Sequence, residues 1–186
     1  MPPSGKPSAN KPGGRRSRSA AIIASQRVKT TETNGERGHA ANKKVTGRKR
    51  QLLVDVMGLL LVVLVHKADI QERAGAKLLL QRAVTKGVAR LRLIWADGGD
   101  HGADFKAGVW KLAGWLFEVV TRPEGTKGFT IFPRRWVGER TFGWLGRSRR
   151  LSKEDEQRTE TSEAMISAAM SRLMLTRLAQ PPAIWV

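Results

Sequence analysis

Residues 51–65 read QLLVDVMGLLLVVLV, two apolar runs broken only by Asp55 and the Met57-Gly58 pair. Strand-forming runs on either side of a short segment holding a glycine, which can take positive φ, predict a β-hairpin. The second run is apolar at every position and so has no polar face. That pattern predicts a strand covered on both sides, as in the middle of an α/β sheet. Working outward, Asp69 and Glu72 stand in capping-box-like spacing ahead of a helical stretch carrying Ala76, Leu79, Leu80 and Ala83, which ends near Gly87. Residues 90–95 (RLRLIW) alternate charged and apolar side chains and predict a strand that runs into Ala96-Asp97-Gly98-Gly99. Asp97 therefore falls at a strand's carboxy end.

Further on, residues 103–115 are expected to be helical, and residues 116–121 and 128–132 to be short strands around Pro123-Glu124-Gly125. Residues 134–145 have helical character. Residues 162–178 place Ile166, Met170, Leu173 and Met174 on one stripe, with Glu163 early and Arg177 late to suit the helix dipole. Upstream of the hairpin, residues 20–28 predict a strand centred on Ile22 and Ile23, followed by a basic loop as far as Arg50. Residues 1–19 (MPPSGKPSANKPGGRRSRS) combine Pro, Gly, Ser and charge without apolar periodicity, so burial cannot offset the entropy of ordering them. The expectation is a disordered basic arm (1–19), a mixed α/β domain with its sheet flanked by helices (20–178) and a short tail (179–186). No internal repeat is present.

The 186 residues carry a net charge of +18, and residues 1–50 hold 13 Lys and Arg against the acids Glu32 and Glu36. With a pI near 11.4, such a chain repels basic proteins and attracts polyanions, of which phosphate backbones are the most abundant in a cell. Nucleic acid is the favoured partner, and a basic tail that only aids solubility is the bland alternative. The chain has no Cys, which excludes a disulfide framework and a thiolate zinc site and fits a reducing compartment. The longest apolar stretch, residues 52–65, has 14 positions including Asp55, short of the roughly 18 that span a bilayer. No membrane segment is expected, and the amino terminus lacks the apolar core of a secretory signal.

Few residues stand out as carriers of chemistry. Asp97, at a strand end and followed by two glycines that let a ligand approach the backbone, has the setting of a metal-dependent phosphate site. It also has the setting of an ordinary turn cap. In RRWVGERTFGWL, helical spacing puts Glu139 beside Trp136 and Phe142, on the face that the aromatic residues mark as inward. An ion pair with Arg135 or Arg140, an acid at the core's edge, and a metal ligand presented to the sheet all remain open for it. Asp97, Asp100, His101 and Asp104 can be drawn as a separate metal cluster, although nothing in the sequence fixes that loop. His39 and His66 are isolated.

Six blocks in order, ASQRVKT at 24–30, GRKRQLLVDVMG at 47–58, ADIQERAGA at 68–76, IWADGG at 94–99, PRRWVGERTFGWLGRSRRLSKEDE at 133–156 and TSEAMI at 161–166, resemble bacterial insertion-sequence transposases of the DDE type. Catalytic domains of that group read roughly D-S-Q-S-V-K-T, G-R-K-R-H-L-L-V-D-T-x-G, A-D-I-Q-D-R-x-G-A, I-W-A-D-G-G-Y, P-R-R-W-V-V-E-R-T-F-x-W-L and R-L-x-K-D-x-E. The resemblance implies an RNase-H-like sheet whose three acids hold two divalent ions, usually Mg²⁺, for in-line phosphodiester displacement. It implies Asp97 as the second acid and metal ligand and Glu139 as the third. It also implies that Arg135, Arg140, Arg147, Arg149 and Arg150 face DNA, with the partners being terminal inverted repeats, target DNA and a second copy or an intact transposase. A cytoplasmic, nucleoid-associated location goes with it.

Departures from the pattern fall at the site. Ala24 stands where the family has its first Asp, and alanine offers a metal no side-chain ligand. Asp55 matches a family residue on the next strand that resembles a structural position, which leaves it as the substitute acid to consider. Gln51 replaces a His, Asp100 replaces the usual Tyr, and the segment from His39 to Asn42 differs from the common Y-D-A-G-like loop. The expectation is a truncated, drifted copy that binds DNA and is catalytically impaired, either a transposase that has lost most activity or a non-catalytic remnant that partners an intact enzyme. A basic RNA-binding protein of ribosomal type is the unrelated alternative, and the apolar hairpin has no role in it.

Overall fold

The computed structural model describes residues 20–31, 35–40, 45–88, 90–97, 102–120 and 133–179, and of residues 45, 97 and 133–135 the backbone alone. The hairpin lies at its centre, β3 (Val45–Asp55) turning into β4 (Leu60–Lys67). Gly58 in the turn has φ 78°, the left-handed region open to glycine. A Cβ at this position would also lie 2.7 Å from the Thr141 hydroxyl, so two separate constraints require the glycine. Asp55 closes the turn, its Oδ1 accepting the Met57 and Leu59 amides at 2.9 Å each.

On one side, β3 pairs antiparallel with β1 (Ala20–Lys29), Ala21 opposite Asp55 and Lys29 opposite Gly47. Gly47 also faces Gly38 of β2 (Gly38–Ala40), which places that short strand with β4 on the outer side of β3. Beyond β1, β5 (Leu93–Asp97) and β6 (Leu116–Val120) continue the sheet in parallel. The spatial order is β4, β3, β1, β5, β6, and β3 alone runs against the other four.

Alternate residues of the strands enter opposite layers, as the two-residue period of a strand requires. Ala21, Ile23, Leu53, Ile94 and Phe117 pack under α1 (Glu72–Thr85) and α2 (Ala103–Ala113) with Ala76, Leu79, Leu80, Phe105 and Val109. Ile22, Leu52, Val54, Val63 and Val65 pack under α3 (Pro133–Gly146) and α4 (Thr159–Ala179) with Val137, Leu145, Ile166 and Met170. Each buried Val, Leu, Ile, Phe or Met among them contributes about 1.5–3 kcal/mol by leaving water, so polar substitution is costly on either face of the hairpin. Two-sided cover is the reason its second run is apolar throughout.

The structure departs from the sequence reading in three places. The basic loop expected up to Arg50 is instead β2 followed by the first half of β3, and Arg48, Lys49 and Arg50 lie in the interior with at most 1% exposure. Strand pairing on both sides of β3 forces them there, and acceptors on neighbouring segments make the burial tolerable. Arg50 Nε and Nη2 meet Glu154 Oε2 at 3.1 and 2.9 Å, and its Nη1 donates to the Leu151 carbonyl at 2.6 Å. Arg48 donates to Glu154 Oε1 at 3.4 Å and to the carbonyls of Glu36 and Glu156 at 2.9 and 2.7 Å. Glu154 is itself fully buried, and its backbone bridges to Lys29 and Thr31 at the end of β1. The segment joining α3 to α4, including a 3₁₀ turn at Arg149–Leu151, is thereby pinned to the central strands.

Second, no capping box forms, because Gln71 occupies the helix start without a side-chain bond and Glu72 turns back onto the sheet. Its carboxylate accepts the Ser25 hydroxyl and faces Arg27 and Lys49 at 3.6 Å each. Burial holds the Lys49 ammonium below its ordinary pKa despite Glu72 beside it. Third, β5 starts at Leu93 and not at residue 90, where Arg90 adopts φ 72°. The strand expected at 128–132, the arm at 1–19 and the tail beyond residue 179 lie outside the described residues. Among the described residues no helix is long and apolar enough to cross a membrane.

Candidate nucleic-acid and metal site on β1, β5 and α3

Ile23 and Ala96 form the last registered pair between β1 and β5. Ala24 and Asp97 are the next residues on these two strands, so the first and second acid positions of the family pattern are neighbours in the parallel register. Above them runs α3, and its Gly138 sits directly on Ala24. A Cβ added to Gly138 would lie 2.7 Å from the Ala24 Cβ, closer than two side chains can approach. Glu139 is the following residue. The fold therefore brings positions 24, 97 and 139 to one end of the sheet.

Glu139 is exposed, which corrects the orientation read from its aromatic neighbours. The stripe of α3 turned to the sheet is Val137, Gly138, Thr141 and Leu145, small or apolar residues that permit close approach. Thr141 hydrogen-bonds the Gly58 and Val137 carbonyls at 3.1 and 2.9 Å and ties the helix to the hairpin turn. Phe142 packs at the edge of that core, whereas Trp136 and Trp144 face the rim. The Arg140 guanidinium is 4.6 Å from the Trp136 ring centre and 4.8 Å from that of Trp144, and Arg177 of α4 is 4.2 Å from Trp144. Cation–π attraction satisfies these rings where an apolar core does not. Arg140 also donates to the Met57 carbonyl at 3.0 Å, and burial, then repulsion from Arg177, lowers its pKa.

A pair of divalent cations needs hard oxygen ligands from several carboxylates with positions left open for phosphate. On β1 the available group is the methyl of Ala24. Asp55 stands opposite Ala21, three residues or roughly 10 Å along the strand from Ala24, and its Oδ1 is engaged by the turn amides. Among the described residues no group of three or more His, Asp or Glu side chains is placed to hold a metal ion. Among the described residues the full ligand set is not made up. Of the alternative cluster, Asp100 and His101 lie outside the described residues and Asp104 is in the first turn of α2.

Among the arginines expected at DNA, Arg147, Arg149 and Arg150 are exposed where the chain leaves α3, with Arg150 Nε 3.0 Å from Glu156. Arg140 is half-buried in the aromatic ladder, and Arg135 lies on the first turn of α3. Sequence reading missed Gly138, the buried Glu154 and the ladder. Only the ladder left a usable signal, because Trp136, Arg140 and Trp144 recur every four residues along one helix face.

Five strands in this order with one reversed, and helices on both faces, describe the RNase-H-like fold. A chain of the simian T-cell lymphotropic virus intasome, solved by cryo-electron microscopy in complex with the PP2A regulatory subunit B56 gamma, superposes with a TM-score of 0.54 over 91% of this chain at 14% identity. The present chain spans about half, 53%, of the length of that one. No curated protein sequence matches. The sequence profile of the transposase DDE domain matches residues 15–175, and the chain belongs to that family. Proteins of this family generally use divalent metal ions and act on DNA.

Proposed function

We propose that this chain is an insertion-sequence transposase domain that binds DNA at element ends but is impaired in cleavage and strand transfer. One observation carries this reading, the direct seating of Gly138 on Ala24. The family pattern has Asp at the first position and Val at the second. Both are smaller here, and they touch. A larger residue at position 138 requires α3 to stand further from β1, so the two small residues fit one another and the family's larger pair would need a wider spacing. Asp97 and Glu139 remain as the two acids of the site, short of what Mg²⁺ pairing requires. Binding is supported by the charge of +18, by the exposed arginines 147, 149 and 150, and by the basic arm at residues 1–19, with residues 20–178 forming the folded domain.

The test is a nicking and strand-transfer assay with Mg²⁺ on an oligonucleotide carrying the element's terminal repeat. The parent chain is expected to shift the oligonucleotide in a gel and to leave it uncut. Ala24→Asp with Gly138→Val, which restores both the acid and the helix spacing, is expected to yield more product than Ala24→Asp alone. Robust Mg²⁺-dependent cleavage by the parent chain would falsify the impairment and direct attention to another acid.

A further inference from the structure

The aromatic ladder on α3 and α4 is anchored by Trp144 against the Gly58 turn, and its outer end, at Trp136, is open. Trp136 is 42% exposed, one turn before Glu139, and one side of its ring is backed by the Arg140 guanidinium. Arg140 in turn stacks on Trp144, and Trp144 on Arg177, so rings and cations alternate from α3 to α4. Arg140 is fixed by its bond to the Met57 carbonyl, and Val56 and Met57 at the hairpin tip are 51% and 58% exposed. The surface is apolar and aromatic with fixed positive charge inside it. Such a surface recognises the flat faces of unpaired bases joined by phosphates, because stacking is tolerant of sequence and the cations attract the backbone. A blunt duplex end offers only the outer face of its terminal pair, whereas an overhang offers bases whose edges are free and whose faces can be splayed onto a ring.

We propose that Trp136, backed by Arg140, is a stacking platform for an unpaired base at a DNA end, next to the acid on the same helix. The proposal deepens the DNA-binding reading given above and rests on it. It does not depend on cleavage, since the platform lies outside the Ala24 contact. The net charge of +18 disfavours a second copy of the chain as the occupant.

The experiment measures binding of the full chain, by fluorescence anisotropy, to a blunt duplex, to the same duplex with a five-nucleotide overhang, and to the single strand. A 2-aminopurine in the overhang reports stacking directly. Trp136→Ala is expected to weaken overhang and single-strand binding about ten-fold, within the range for loss of one stacked base, and to weaken blunt-duplex binding far less. Trp136→Phe should retain most of the affinity and of the 2-aminopurine quenching, which separates stacking from misfolding. Equal binding of all three DNAs by the parent and Trp136→Ala overturns the platform and leaves DNA binding standing. A change of oligomeric state in Trp136→Ala with unchanged DNA affinity assigns the surface to a protein contact instead. Absence of binding to any of the DNAs removes this inference together with the reading beneath it.

Discussion

Residues 48–50 and residues 147–150 are both short arginine-rich stretches, and they end in opposite environments. Arg48, Lys49 and Arg50 are inside β3, whereas Arg147, Arg149 and Arg150 lie on the surface after α3. The difference comes from the neighbours each stretch meets. β3 is flanked on both sides by strands and is crossed by a segment bringing Glu154 and several carbonyls, so each guanidinium finds acceptors that replace water. Among the described residues no strand or helix covers the second stretch; Arg150 pairs with Glu156 at its edge, and Arg147 and Arg149 keep their charges available to a polyanion. A basic motif is thus a candidate DNA contact only when nothing within the fold has already neutralised it.

The strongest way to break this comparison is to remove the interior acceptor. Glu154→Ala leaves Arg48 and Arg50 buried without their carboxylate and is expected to cost about 3–5 kcal/mol, read as a drop in the urea midpoint. If stability is unchanged, the pair is more hydrated than its burial indicates. A smaller effect is expected at His66, which is buried near Lys49 with its Nε2 unpartnered. Burial lowers its pKa, with Lys49 adding to the shift. The unfolded chain takes up this proton near the ordinary value of about 6.5, while the native state resists it to lower pH. Stability is therefore full above that value and falls as pH drops through it toward the native pKa. His66→Gln should flatten the difference between unfolding midpoints at about pH 8 and about pH 5.5, above the range where most carboxylates titrate. The smallest effect on stability is expected at the surface, where Arg149→Ala and Arg150→Ala should each change it by less than about 0.5 kcal/mol. Each should instead lower the slope of log binding constant against log salt by about one, measured on a duplex oligonucleotide. Unchanged slopes remove these two residues from the DNA surface.

The hairpin, its turn and the helices α1, α3 and α4 were legible because their signals are local: periodicity, a glycine at the turn, an apolar stripe. The side of α3 that carries Glu139 was misread because a tryptophan ordinarily marks a core as Phe142 does, whereas Arg140 stacks on Trp136 and Trp144 at the rim. Gly138 carried no signal of its own, since the meaning of a missing Cβ depends on which strand lies beneath it. Glu154 is one acid among four in residues 149–160, and only the arginines of a strand about a hundred residues earlier distinguish it.

By itself the sequence determined the α/β class, the hairpin at its centre, the family, and the alanine where a carboxylate is expected. Those features are written in residue identity and short-range spacing, which survive without knowledge of what touches what. Only the tertiary structure decided which charges are neutralised inside and which face solvent, and that Ala24, the Asp97 strand end and α3 meet at one place. Such outcomes depend on contacts between segments far apart in the chain, where burial and the presence of a partner decide whether a charge or a missing side chain matters.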